Sequence, residues 1–233
     1  MKTITIGDIH GLDSWKRITP DDYDLIVFLG DYVDSFTISD GPMMANFHEI
    51  IRFKKSYPDK VILLLGNHEA SYLDRMYRAT GFRPSIRDEV MLLLRVNAHL
   101  FQVAYQYRNY LWSHAGIHQG FFDLKIKPQI SGSDQNLAST LDRLYHEKYY
   151  PIFEAGPERG GSSKNIGGPL WLDKSQVIAK PLKGFHQIVG HTPVNSIEQY
   201  QPYPSDPDTS VTFCDCLERG DGSFYELDPD EKE

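Results

Sequence analysis

The chain has 233 residues, 40% hydrophobic and 24% charged, enough to bury a large core as one domain over residues 1–233. A net charge of -8 speaks against nonspecific binding to nucleic acid or to an anionic membrane. No run approaches the roughly 18–20 apolar residues of a membrane-spanning helix.

Apolar alternation begins at once in Lys2-Thr3-Ile4-Thr5-Ile6, a strand that stops at Gly7-Asp8. It leaves no room for a leader peptide, so a cytoplasmic protein is expected. Tyr23–Leu29 is a second apolar run, stopping at Gly30-Asp31. Met43, Phe47, Ile50 and Ile51 then recur at helical spacing until Tyr57-Pro58. Lys60–Leu65 is a third strand, stopping at Gly66-Asn67. Near-continuous Ile, Val and Leu suit strands covered on both faces, and the β-α-β order predicts that the second and third run parallel. The fold class read from this order is α/β.

Residues 85–100 carry Ile86, Val90, Leu93 and Leu94 on one side and predict a helix. Residues 101–107 and 110–113 flank Arg108-Asn109 as a hairpin. A helix is expected over 136–149. The Gly, Ser and Pro of residues 154–169 predict a mobile loop. Phe185–Val189 is another strand, ending at Gly190-His191. Residues 209–214 and 223–227 are expected to pair antiparallel, and the charged tail over 228–233 to fray. Cys214 and Cys216 are the only cysteines and lie one residue apart, so no disulfide framework exists. Two thiolates alone do not close a metal site, and these two read as strand residues.

The strand ends share a pattern. They read Gly7-Asp8-Ile9-His10-Gly11, Gly30-Asp31-Tyr32-Val33-Asp34, Gly66-Asn67-His68-Glu69, Ser113-His114-Ala115-Gly116 and Gly190-His191-Thr192-Pro193. Singly, each is ordinary turn chemistry or a hydrogen-bonded histidine. Together, five such ends put Asp8, His10, Asp31, Asn67, His114 and His191 where open α/β sheets build sites. Three imidazoles, two carboxylates and an amide oxygen suit manganese foremost, or iron, zinc, cobalt or nickel. They are too many for one tetrahedral ion and enough for two that share a carboxylate.

In these stretches, which span residues 7–193, the chain resembles the calcineurin-like metallophosphoesterases. It is most similar to their serine/threonine phosphatase-like branch, which takes in the bacteriophage protein phosphatase and the symmetrical diadenosine tetraphosphatase. The resemblance implies a four-layer αββα sandwich of two mixed sheets flanked by helices, with a two-metal site at one edge. It implies that Asp8 and His10 hold one ion, Asp31 bridges both, and Asn67, His114 and His191 hold the other. A water activated between the ions would attack phosphorus. His68 would protonate the leaving oxygen, oriented by Asp34. Glu69 stays open between a supporting contact and a helix start.

The match is incomplete. Pro193 stands where other branches carry a second histidine, which implies fewer protein ligands on the first ion. Ser35, Leu65 and Lys174 occupy regions where phosphate-clamping arginines are usual, and lysine lacks their bidentate geometry. Arg159 and Arg75 are the proposed replacements, with Arg78, Arg83 and Arg87 as further candidates. The implied function is hydrolysis of phosphomonoesters, in a phosphoprotein or a small molecule. The alternatives are cleavage of dinucleoside polyphosphates or phosphodiesters, and a metal-binding interaction module without catalysis.

Overall fold

The fold is seen in a computed structural model, which describes residues 1–73 and 77–231. Two five-stranded sheets stack face to face. The first contains β1 (Thr3–Ile6), β2 (Leu25–Phe28), β3 (Val61–Leu64), β4 (Phe101–Gln102) and, at its edge, β10 (Tyr225–Leu227), in the order β10-β1-β2-β3-β4. The second holds β5 (Ala104–Tyr107), β6 (Tyr110–Ser113), β7 (His186–Val189), β8 (Glu198–Tyr200) and β9 (Ser210–Phe213), in the order β5-β6-β7-β9-β8. Strands β1 to β4 run parallel, as do β6, β7 and β9, while β10, β5 and β8 are antiparallel to their neighbours.

Strand alternation explains the layers. In β2, Ile26 and Phe28 face helices α1 (Asp40–Ser56) and α3 (Arg87–Val96), joining Met43, Phe47, Ile50, Val90 and Leu94. Leu25 and Val27 face the other way and meet Tyr110, Trp112 and Ile188 of the second sheet. Full burial of each such side chain contributes about 1.5–3 kcal/mol. Beyond the second sheet, Leu111 packs with Leu137, Leu141 and Leu144 of α5 (Leu137–His146), and Val211 with Val177 of α6 (Lys174–Ala179). The order is therefore helix, sheet, sheet, helix, the αββα sandwich. Trp112 stitches the sheets by donating from Nε1 to Thr5 Oγ1 at 2.9 Å. The short α2 (Asn67–Leu73) begins directly after β3, and α4 (Gln119–Phe121) follows β6.

Three sequence expectations change. Residues 209–214 and 223–227 do not pair with each other: β9 lies between β7 and β8, whereas β10 pairs with β1 through Thr3 and Leu227. Two short apolar runs separated by a turn look alike whether they close a hairpin or join two sheets. The 101–107 run divides at Val103 between β4 and β5, because the chain crosses there from one sheet to the other. The helix expected over 85–100 is α-helical only from Arg87 to Val96, where Asn97 Nδ2 turns back to the Leu93 carbonyl at 2.9 Å. In the glycine-rich segment 154–169, a Cβ on Gly161 would lie 1.8 Å from the Ala155 carbonyl oxygen and one on Gly168 2.4 Å from that of Pro151. These glycines permit close backbone packing as well as turns. The described part of the tail is tethered, since the N-terminal ammonium donates to Asp228 and Asp230 at 2.7 Å each. Among the described residues no helix is long and apolar enough to cross a membrane.

Candidate metal centre

Six parallel strands end along one edge of the sandwich, and the polar groups past those ends meet there. β1 delivers Asp8 and His10, β2 delivers Asp31 and Asp34, and β3 runs into α2 with Asn67 and His68. β6 delivers His114, β7 delivers His191, and β9 leads to Asp215. Of the six non-glycine residues with positive φ among those described, four are His10, Asp31, Asp34 and His191. Left-handed backbone costs such residues roughly 1–3 kcal/mol each and concentrates where surrounding contacts hold it in place.

Those contacts are visible. Glu69, fully buried, accepts from the backbone N–H groups of Asp31 (2.9 Å), Tyr32 (2.7 Å) and Gly66 (3.0 Å). It therefore ties the end of β2 to the end of β3 from the first turn of α2, so both readings left open in the sequence hold. Glycines allow the approach: a Cβ on Gly66 would stand 2.0 Å from Asp31 Oδ1, and one on Gly190 2.2 Å from Asp8 Oδ1.

Asp31 is the hub. Its Oδ2 lies 3.4 Å from His114 Nε2, 3.7 Å from His68 Nε2 and 3.9 Å from His10 Nε2. Two groups able to hold a cation share it: His10, Asp31 and His68, and Asp31, His114 and His191. Asn67 Oδ1 completes the second, 2.8 Å from His114 Nε2 and 2.9 Å from His191 Nδ1, with those two nitrogens 3.1 Å apart. Asp8 belongs to neither trio but lies against Asp31. Its carboxylate accepts from the His191 backbone N–H at 3.0 and 3.1 Å, and it lines the same cavity.

The donor set fits divalent cations. His114 Nδ1 donates to the Leu29 carbonyl and His10 Nδ1 to that of Val33, both at 2.9 Å, so in the neutral rings the Nε2 lone pairs point inward. Burial lowers both pKa values and keeps the rings neutral. The His114 Nε2 lone pair then faces the Asn67 oxygen, also an acceptor. A proton on His191 Nδ1 can satisfy one or two of these contacts, whereas a cation satisfies the imidazoles, the amide and Asp31 together. The charge balance points the same way. Burial, followed by the Asp215 and Asp31 carboxylates, pushes Asp8 well up, and burial with Asp31 pushes Asp215 up to about 7. Burial would also raise Asp31, but the imidazoles around it, when protonated, hold it below the carboxylate range, and of these His68 is the ring whose own pKa is raised.

His68 differs from the other rings. Its Nδ1 is bonded to Asp34 Oδ2 at 2.9 Å, and its Nε2 faces Asp31. Burial pulls its pKa down, yet the Asp31 and Asp34 carboxylates outweigh this and raise it to about 9.

The cluster lies in a cavity of about 510 Å³ whose walls carry Arg78, Arg159 and Arg219 together with Phe36 and Trp171. Arg159 is fixed by Nη2 donating to Thr192 Oγ1 at 2.6 Å and by Nε at 3.0 Å from Asp173. Arg75 lies outside the described residues. Arg83 is not on the cavity wall. It binds the Asp40 carboxylate and the carbonyls of Ser35 and Ile38, and so holds the loop after Asp34. Lys174 turns away to Glu198 at 2.5 Å. Arg219 and Asp215 were missed in the sequence. The one signal for Asp215 was its place just past an apolar run, and Arg219 offered none.

A family model described as calcineurin-like phosphoesterase matches residues 1–221. The serine/threonine-protein phosphatase 4 catalytic subunits of Kluyveromyces lactis and Candida glabrata are 32% identical over 76 residues and 34% identical over 90 residues. These stretches cover 30% and 36% of this chain and 23% and 26% of those proteins. The chain thus spans about a quarter of the length of the curated relatives it matches. A solved protein serine/threonine phosphatase from Saccharomyces cerevisiae has a TM-score of 0.55 over 98% of this chain and 73% of its own, at 16% identity, a likeness of fold.

Proposed function

Because the chain belongs to the calcineurin-like phosphoesterases, we propose that it hydrolyses phosphate monoesters with two divalent metal ions, manganese foremost. In this reading Asp8, His10 and Asp31 hold one ion, and Asp31, Asn67, His114 and His191 the other. The observation that carries the reading is Asp31, one carboxylate common to a group with His10 and a group with His114 and His191; His68, which the first group also contains, is assigned as the acid because Asp34 holds its Nδ1. A pair of ions there would neutralise phosphoryl charge and bring the pKa of a water toward neutrality.

The chain's own residues supply the rest. Glu69, accepting from the Asp31, Tyr32 and Gly66 backbone N–H groups, holds in place the turns that carry Asp31 and Asn67. Arg159, braced by Thr192 and Asp173, orients a phosphoryl oxygen at the cavity wall. His68 acts as general acid. Its Nδ1–H is held on Asp34 and its Nε2 lies beside Asp31, so Nε2 is the atom placed to give up a proton at the centre. As the bond from phosphorus to the leaving oxygen breaks, that oxygen takes the Nε2 proton, and the attacking water supplies the new P–O bond.

The cavity, at about 510 Å³ with Phe36 and Trp171 on its walls, is larger than a single phosphoryl group requires. This favours dinucleoside polyphosphate cleavage as the second reading. The test is a panel of substrates with the manganese-loaded protein. Turnover of an aryl monoester without a bis-aryl diester supports the first reading, and preference for dinucleoside polyphosphates supports the second. Inactivity on monoesters, diesters and pyrophosphates alike would leave a metal-binding module. Within the first reading, His68→Asn keeps its metal and loses about 10²–10⁴-fold in kcat on alkyl phosphates, and less on aryl phosphates with good leaving groups. Equal loss on both would remove the acid from the mechanism.

A further inference from the structure

We infer that Tyr72 is a positioning residue for the His68 general acid, acting through Asp34; the inference rests on the acid role proposed above. Tyr72 is buried near the end of α2. Its hydroxyl lies 2.5 Å from Asp34 Oδ1, while Asp34 Oδ2 takes His68 Nδ1 at 2.9 Å. The direction of the first bond is fixed by a third group. The Arg83 backbone N–H donates to the Tyr72 oxygen at 3.1 Å and brings its own proton, so the phenolic proton goes to Asp34.

Asp34 needs this hold. It is wholly buried with φ of 66°, in a turn that ordinary residues adopt only under constraint. With one oxygen on Tyr72 and the other on His68, the carboxylate plane is set, and with it the direction of His68 Nε2. The tyrosine ring is fixed in turn by stacking on Phe82, with centroids 4.5 Å apart at 30°. Tyr72 on α2, backed by Phe82 and Arg83, thus fixes the orientation of the acid without itself being a proposed metal ligand.

A structural role alone would make the hydroxyl a partner for a buried carboxylate and nothing more. Tyr72→Phe separates the two. The expected result is a kcat about tenfold lower on alkyl phosphates, with KM and metal content unchanged, and a smaller loss on aryl phosphates with good leaving groups. In a His68→Asn background the same change should cost less than twofold, because the group it positions is gone. Phe82→Leu, which keeps the hydroxyl and loosens the ring, should give a weaker form of the same pattern and serves if Tyr72→Phe folds poorly. Wild-type kcat with a lowered Tm, or an equal loss in both backgrounds, would overturn the inference while leaving the acid role of His68 intact. If His68→Asn itself shows no leaving-group dependence, the acid role fails and this inference falls with it.

Discussion

Asp142 shows how a single carboxylate outside the metal centre shapes the molecule. It projects from α5 and accepts the Val103 N–H at 2.6 Å, at the point where the chain passes from β4 to β5. Burial pushes its pKa up to about 6 despite the backbone donors of Val103 and Ala104. A folded-state pKa above the unfolded value means the contribution to stability is complete below about pH 4 and is lost as pH rises through about 6. Asp142→Asn keeps an oxygen for Val103 and cannot ionise. Relative to wild type, its unfolding free energy should gain on the order of 2–3 kcal/mol between pH 4 and 7.5, measured by denaturant titration at each pH. Parallel curves for the two proteins would contradict this. No local pattern around Leu141-Asp142-Arg143 marks the residue, because its burial is created by the second sheet. Tyr72, Arg219 and Asp215 were hidden for the same reason: each gains its role from a partner distant in sequence. Asp8, His10, Asp31, Asn67, His68, His114 and His191 were legible because each follows a buried strand directly, so that strand placement fixes side-chain placement.

At the scale of elements, the strand ends depend on glycine for closeness. Gly190 precedes His191 at the end of β7, and a methyl group there would meet Asp8 Oδ1 at 2.2 Å. Gly190→Ala must therefore move Asp8 or the turn after β7. Its expected signature is at least tenfold weaker manganese binding by titration, with a far smaller change at the remote end of the sheets. Unchanged affinity would show that Asp8 has no part in holding metal. The parallel pairing of β2 and β3 could be read from the intervening helix, since a crossover needs that length of chain. The partners of β9 and β10 could not be read, because period-two alternation reports burial and says nothing of which edge a strand joins.

Across the whole molecule, one geometric fact organises the rest. β1, β2 and β3 run parallel in one sheet, and β6, β7 and β9 run parallel in the other. Their ends meet at one edge, where the Asp8 carboxylate reaches the His191 backbone and His114 reaches the Leu29 carbonyl. The stacking that buries Val27 against Trp112 and Ile188 thus also sets the distance between the two halves of the metal centre. The most direct measurement is metal stoichiometry by elemental analysis, with manganese spectra and hydrolysis rates, for wild type beside Asp31→Ala. Two ions per wild-type chain are expected, spectroscopically coupled, with both the coupling and the hydrolysis lost in Asp31→Ala. A single uncoupled ion in active wild type, or an active Asp31→Ala protein free of metal, would contradict this.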